Sequence, residues 1–359
     1  MSLYAIRHHG CRVNEYTWNG MRLAVMENER LRVAVLPDKG ADIIEFRYKP
    51  ADLDVLWHAP QTVLPPGTYI PTVARSGGSF LDHYSGGWQE IFPSAGSATM
   101  YKGAELGQHG EVSLLPWDMR VLQDSADRIE VEFSVQTVRT PYRLERRMIM
   151  ERNAARLRLE ERVLNLGLEE MAYAWGHHPT FGAPFLAAGC RIENGATKVV
   201  VPEAMESMPH RRLAIGESDF PTAPGARGGQ QSVNIVNGPD CRTEDVIVLK
   251  DFAEGWCALR NPDLSLAVTM TWDARVFPFL WSWQVYGGSM GYPYYGRAYT
   301  LGLEPFSCQI ETLAALAENK RAPVLAAGES IDTQFEMGIV ETGRAVTWAA
   351  HGGEVRLAG

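Results

Sequence analysis

Cysteine is scarce and unpatterned in this chain. Five stand at Cys11, Cys190, Cys241, Cys257 and Cys308, an odd number at wide spacing with no Cys-x-x-Cys. Neither a disulfide framework nor a zinc motif is supported, and reduced, mostly buried thiols of a cytoplasmic protein are expected. Positive charge is also short, with 34 Lys and Arg against 43 Asp and Glu, a net charge of −9 and no basic block. A phosphate backbone is repelled by such a field, so nucleic acid is not an expected partner. No apolar run precedes a small-residue site in MSLYAIRHHGC, so no secretory signal is expected. The uncharged stretch 276–296 holds two prolines, four glycines, a glutamine and four tyrosines, which argues against a spanning helix and a membrane partner. Fixed-period repeats and low-complexity tracts are missing as well.

What is present is an ordinary apolar fraction, 45%, with 21% charged residues, enough for a sizeable core in 359 residues. The hydrophobic period is two. In RIEVEFSVQTV, Ile129, Val131, Phe133 and Val135 alternate with polar residues, the signature of a half-buried strand. In ARLRLEERVLN, Leu157, Leu159 and Val163 alternate with Arg158, Glu160 and Arg162. Those residue types favour helix, but strict alternation leaves a helix no apolar face, so a strand is expected. Asn-Pro-Asp at 261–263 separates two alternating runs as a hairpin, and Ile331, Thr333, Phe335, Met337 and Ile339 form one more strand. A short helix is expected over 311–319. Many strands and few helices predict an all-β protein, a large antiparallel β-sandwich, as one domain over residues 1–345. Residues 346–359 read as a tail outside the core. Residues 202–245 form a long Gly-, Pro- and Ser-rich stretch, of the kind used as lids or binding loops, or left disordered.

Four segments combine histidine, carboxylate or tryptophan with glycine: GQHGEVSLLPWD (107–118), WGHHPTFG (175–182), WSWQVYGG (281–288) and TLGLEPFSC (300–308). Glu304 sits inside an apolar run, either exposed at a strand end, paired, or perturbed by burial. His177 and His178 are adjacent and on a strand must face opposite sides, so at most one looks into a given site. His109 lies between glycines that allow close backbone approach. Taken singly, each is as well read as a structural residue. Together, a proton acceptor, imidazoles and indoles near glycine turns suit acid–base chemistry on a polyhydroxylated small molecule.

In this order the segments resemble the aldose 1-epimerase (galactose mutarotase-like) superfamily, over residues 31–341. GQHGEVSLLPWD is similar to its His-Gly segment, and HHPTFG to its His-x-Tyr-Phe motif, with Thr180 in place of the tyrosine. TLGLEPFSC is similar to the segment carrying its catalytic glutamate. SGGWQEIFPSAG (85–96) resembles the hexose-6-phosphate epimerase branch, except that Ser85 stands where that branch has an arginine. LPDKGADI and AAGES match weaker signatures. The resemblance implies the mutarotase-like supersandwich fold and interconversion of sugar anomers. Glu304 would be the general base at the C1 hydroxyl, and His178 the general acid at the ring oxygen. His109 would bind the opening ring, with His177 as a lesser contact. Asp245 and Arg75 are the nearest matches to the family's hydroxyl-gripping residues. From composition, Trp283 is expected to stack on the sugar and Gln284 to bind a hydroxyl. No metal or organic cofactor is implied; the expected partner is a small sugar, and the protein a monomer or homodimer. Two alternatives stay open: a non-catalytic carbohydrate-binding protein on this fold, and a lyase or glycosidase, the latter needing a second carboxylate from Asp245 or Glu90.

Overall fold

The computed structural model describes residues 7–68 and 79–359. Among these, paired strands build two large antiparallel sheets. The larger has twelve strands. Edge to edge it runs Arg12–Trp18, Met21–Glu27, Leu31–Leu36, Asp42–Tyr48, Trp88–Ile91, Gly176–Gly182, Tyr299–Phe306, Phe279–Tyr286, Thr243–Lys250, Lys198–Val201 and Gly216–Asp219, with Leu53–Asp54 added on Asp42–Tyr48. The smaller runs Arg191–Asn194, Gly255–Asn261, Leu266–Trp272, Ser330–Glu341, Arg156–Asn165, Tyr142–Glu151, Arg128–Gln136 and Asp118–Asp124. The fold is the β-sandwich that the period-two pattern implies.

Alternation decides which side chains enter the sandwich. In Arg128–Gln136, Ile129, Val131, Phe133 and Val135 are buried, each burial worth roughly 1.5–3 kcal/mol. Arg156–Asn165 is a strand despite its helix-forming residues, because it hydrogen-bonds Tyr142–Glu151 on one side and Ser330–Glu341 on the other. Its inward set is Leu157, Leu159, Glu161 and Val163. Glu161 stands directly opposite Arg146, which also points inward. A charged layer is thereby buried between the sheets. Arg146 reaches Glu90 at 3.4 Å, and Glu90 accepts a hydrogen bond from Trp175 Nε1 at 2.9 Å.

The short helix Leu313–Glu318 is capped by Thr312, whose hydroxyl accepts from the Ala315 N–H, and buries Leu313 and Leu316. The uncharged stretch 276–296 supplies the strand Phe279–Tyr286 near the middle of the larger sheet. Among the described residues no helix is long and apolar enough to cross a membrane. Residues 202–245 hold three short strands, Gly216–Asp219, Thr222–Pro224 and Gln230–Ser232. At the C-terminal end, Val346–Ala350 and Glu354–Leu357 pair as a hairpin. Val346 and Ala349 pack with Trp256, Ala258 and Ala267 in a small apolar cluster separate from the main core.

Candidate active site

Three neighbouring strands of the larger sheet, Trp88–Ile91, Gly176–Gly182 and Tyr299–Phe306, carry the polar centre. Every residue of Gly176–Gly182 is buried. His178 pairs with Gln89 on one side. On the other, the pairs Gly176↔Phe306 and Thr180↔Gly302 set His178 opposite Glu304. Side chains alternate across a strand. Gln89, His178 and Glu304 therefore share the face turned away from the smaller sheet. His178 Nε2 stands 3.6 Å from Glu304 Oε1. Glu304 is 2% exposed, so it is not a strand-end carboxylate in water. A Cβ on Gly302 would lie 2.1 Å from Glu304 Oε1, so the carboxyl occupies space that only glycine leaves free.

His109 arrives from a turn. Its φ is 60°, left-handed for a residue with a Cβ, and its N–H donates to the Gly96 carbonyl at 3.1 Å. The next residue, Gly110, has φ 74°, and a Cβ there would lie 2.4 Å from the Phe92 carbonyl oxygen. The turn thus delivers the His109 ring to 5.4 Å from that of His178, centroid to centroid.

Aromatic rings close over this group. Phe80, from the helix Ser79–His83, stands edge-on to His109 at 4.5 Å, and Tyr84 lies 5.3 Å from His178. Trp283 is 6.1 Å from His178, Trp57 is 6.2 Å from Trp283, and Tyr294 is 5.8 Å from Trp283. The Tyr84 hydroxyl donates to Thr180 Oγ1, which donates to the Gly87 carbonyl. Beneath this cover, His109 Nδ1, His178 Nδ1 and Glu304 Oε1 are buried without a hydrogen-bond partner. An orphaned buried polar atom costs about 1–3 kcal/mol. Three such atoms stand together here.

Burial sets the protonation. It pushes the Glu304 carboxyl well above the usual carboxylate range and lowers His178 to about 4. His109 is driven well below its ordinary value by burial and then by the charge on His178. Burial thus favours the protonated form of the Glu304 carboxyl and the neutral forms of the His178 and His109 imidazoles.

The structure brings Trp283 beside His109, His178 and Glu304; His177, Asp245 and Gln284, expected as substrate contacts, face the other way. His177 faces the smaller sheet, fully buried. Its Nδ1 accepts from Trp88 Nε1 at 3.2 Å, which leaves the proton on Nε2 to be donated to Glu161 at 2.9 Å. Asp245 and Gln284 stand opposite one another and point the same inward way. Asp245 accepts from the backbone N–H groups of Arg212 and Leu213 and pairs with the Arg212 guanidinium at 3.1 Å. Arg212 also donates to the Gln284 side-chain oxygen, and the Gln284 amide nitrogen donates to the Val233 carbonyl. These groups are spent on holding residues 211–233 to the sheet. Arg75 lies outside the described residues. The sequence reading also missed Glu244, which turns to the Trp283 side and accepts from its indole N–H at 3.2 Å. Phe80, Tyr84, Trp57 and Tyr294 carried no signal beyond being aromatic.

A groove of about 930 Å³ lies elsewhere, against the outer side of the smaller sheet, with Arg147, Arg162, Asp273, Asp332 and His351 in its walls. None of the residues of the His178 site borders it. Among the described residues no group of three or more His, Cys, Asp or Glu side chains is placed to hold a metal ion.

A family model described as a domain of unknown function, DUF4432, matches residues 18–339. Comparison with curated proteins finds no match. Among solved structures, a candidate aldose 1-epimerase from Klebsiella pneumoniae superposes with a TM-score of 0.73, over 94% of this chain and 85% of its own, at 15% identity. A galactose mutarotase related enzyme from Lactobacillus acidophilus gives 0.60 over 92% and 98%, at 17% identity. A galactose mutarotase-like protein from Lactobacillus casei gives 0.59 over 89% and 100%, at 16% identity. Likeness at such identities speaks for the fold, which is the galactose mutarotase-like sandwich.

Proposed function

The chain belongs to the DUF4432 family, and from the geometry of its polar centre we propose that it is an aldose 1-epimerase of the cytoplasm, exchanging the α and β anomers of a free sugar. The observation that supports this most is the convergence of His109, His178 and Glu304, each with a free polar atom, under one aromatic cover.

Ring opening needs one proton taken from the C1 hydroxyl and one given to the ring oxygen. Glu304 takes the first and His178 gives the second. C1 then rotates about its bond to C2, and closure with the proton roles reversed delivers the other anomer. The charge state required, a carboxylate beside an imidazolium, has the same proton count as the resting pair. One proton moved across the 3.6 Å between Glu304 and His178 converts one into the other. A bound sugar lowers the cost of that separation by placing hydroxyl dipoles beside the buried pair. His109 hydrogen-bonds the opening ring through Nδ1, and Trp283 stacks on the sugar face. Each acid–base group contributes about 10²- to 10⁴-fold, and spontaneous anomer exchange is already easy, so two such groups are enough.

A glycosidase reading fits the site less well. Its two proposed second carboxylates, Asp245 and Glu90, both turn to the opposite face, where Arg212 and Arg146 hold them. Glu244 shares the site face but lies two strands over and four residues along, on the order of 15 Å from Glu304, beyond the usual carboxylate spacing of about 5–9.5 Å. A purely sugar-binding protein has no use for a desolvated carboxyl against an imidazole. Polarimetric relaxation of freshly dissolved aldoses, across a panel of hexoses and pentoses, separates the readings. Accelerated relaxation with one or more sugars supports the epimerase, and binding without acceleration contradicts it.

A further inference from the structure

The row of polar side chains does not end at His178. One strand further, on the same face, stands Gln89, fully buried and directly opposite His178. Its amide nitrogen donates to Asp42 Oδ2 at 3.1 Å and to the Gly86 carbonyl at 2.7 Å. Both partners are acceptors only, provided Asp42 is ionised, and this fixes which end of the amide is which. The NH2 group must point to Asp42 and Gly86. The carbonyl oxygen, Oε1, must point away from them, and it is buried without a partner.

Asp42 is itself kept in place by Lys39. The two form a fully buried ion pair at the turn before the strand Asp42–Tyr48. Burial raises the Asp42 carboxyl, and the Lys39 ammonium opposes that rise most strongly. A buried ion pair is weak support for stability, because desolvation offsets much of the attraction. Here it has a local consequence: an anionic Asp42 holds the Gln89 amide in one orientation. A neutral Asp42 would let the amide turn over.

We propose that Gln89 is a specificity-determining residue. On this assignment its Oε1 accepts a hydrogen bond from a sugar hydroxyl remote from C1, while Lys39 and Asp42 act as positioning residues behind it. The proposal rests on the anomer-exchange reading, since it takes its orientation from Glu304 at C1. Gln89, His178 and Glu304 occupy three successive strands, so Gln89 lies about 10 Å from Glu304 at the backbone. That spacing sets the two side chains at opposite ends of a pyranose. The ligand favoured is uncharged, because the Lys39 charge is already matched by Asp42 and His109 and His178 are neutral. A site that hydrogen-bonds a hydroxyl rejects the analogue lacking it, because its own buried group is then left unpaired.

The test is a cycle between residue 89 and the sugar. The aldose turned over fastest in a panel of D-glucose, D-galactose, D-mannose and D-xylose is compared with its monodeoxy analogues, in the wild type and in Gln89→Met. For the wild type, one deoxy analogue should lose ten- to a hundredfold in kcat/KM. For Gln89→Met, the parent sugar should fall by a similar factor, mainly through KM, and the same analogue should lose little more. That non-additivity at a single hydroxyl is what a direct contact gives. Equal losses for every analogue in the variant, with no coupling to any hydroxyl, would overturn the assignment while leaving anomer exchange intact. A wild type that exchanges none of the panel sugars overturns the underlying reading, and this inference with it. Should Gln89→Met fail to fold, Gln89→Glu replaces it. With a proton shared toward Asp42 it keeps the free oxygen, so it should retain the wild-type hydroxyl preference; loss of that preference counts against the assignment.

Discussion

His178 and Glu304 face each other across adjacent strands, imidazole Nε2 3.6 Å from carboxyl Oε1, each with a further buried atom or the same one lacking any hydrogen-bond partner. Side chains left in that state cost stability and are retained where a ligand completes them. The consequences for activity and for folding separate cleanly between this pair and its neighbours.

The two adjacent histidines should behave oppositely. His178→Asn is expected to lower anomer exchange by about 10²- to 10⁴-fold with little change in the urea midpoint. His177→Asn is expected to cost about 1–3 kcal/mol, since it strands the buried Glu161 carboxylate and the Trp88 N–H. The activity of its folded fraction should stay within tenfold of wild type. Parallel denaturation and exchange measurements check this, and the reverse pattern would mean that the strand faces have been misassigned.

Gly302→Ala should be a catalytic defect with a small stability cost. The new Cβ would meet Glu304 Oε1 at 2.1 Å, and the carboxyl, at the end of a flexible side chain, must swing aside. Misplacing a reacting group by about 1 Å can cost on the order of 10² in rate. Steady-state exchange and a thermal melt on the same preparation test it. An active variant would place the working carboxyl elsewhere.

The pH dependence of exchange follows from the shared proton. Activity needs one proton on the His178–Glu304 pair. Below about pH 4, His178 gains a second and the Glu304 base is lost. The acid limb of the rate should therefore lie at about pH 4 rather than at the ordinary histidine position near 6.5. The alkaline limb comes only when the raised Glu304 carboxyl loses the pair's last proton. An acid limb centred near 6.5 would contradict the desolvated His178.

Stability should also respond to pH through Glu90. Burial and the neighbouring Glu161 push its carboxyl from 4.5 to about 7. The folded state thus binds the proton more tightly than the unfolded chain. The stabilising contribution is complete below pH 4.5 and is lost as pH rises toward 7. Glu90→Gln carries no such proton, so urea midpoints measured between pH 4.5 and 7 should slope less steeply with pH than in the wild type. An unchanged slope would show that Glu90 is not the group responsible.

Much of this was legible in the sequence, and the limits have a physical cause. Alternation in RIEVEFSVQTV and ARLRLEERVLN predicts the strands Arg128–Gln136 and Arg156–Asn165, because one face of each is buried and the other is wet. It also carried an unread signal. Arg146 and Glu161 fall in the inward register of their strands, and so announce a buried charged layer. Around the site, alternation is silent. The strand Gly176–Gly182 is buried on both faces, so hydrophobicity does not say which parity faces a ligand. His178 was assigned by motif register rather than by pattern. Asp245 and Gln284 face the smaller sheet, while their neighbours Glu244 and Trp283 turn to the opposite face. Phe80 lies on a five-residue helix and Tyr84 directly follows it, and their place over the site is a tertiary fact that no local pattern carries.

Magnetisation transfer between the H1 resonances of the two anomers, recorded at equilibrium with catalytic protein, reads the proposed chemistry without coupling enzymes. With the aldose that the wild type exchanges fastest, the wild type should speed transfer severalfold or more over buffer. Glu304→Gln, folded by circular dichroism, should return it to the buffer rate. Transfer by Glu304→Gln at close to the wild-type rate would contradict the account.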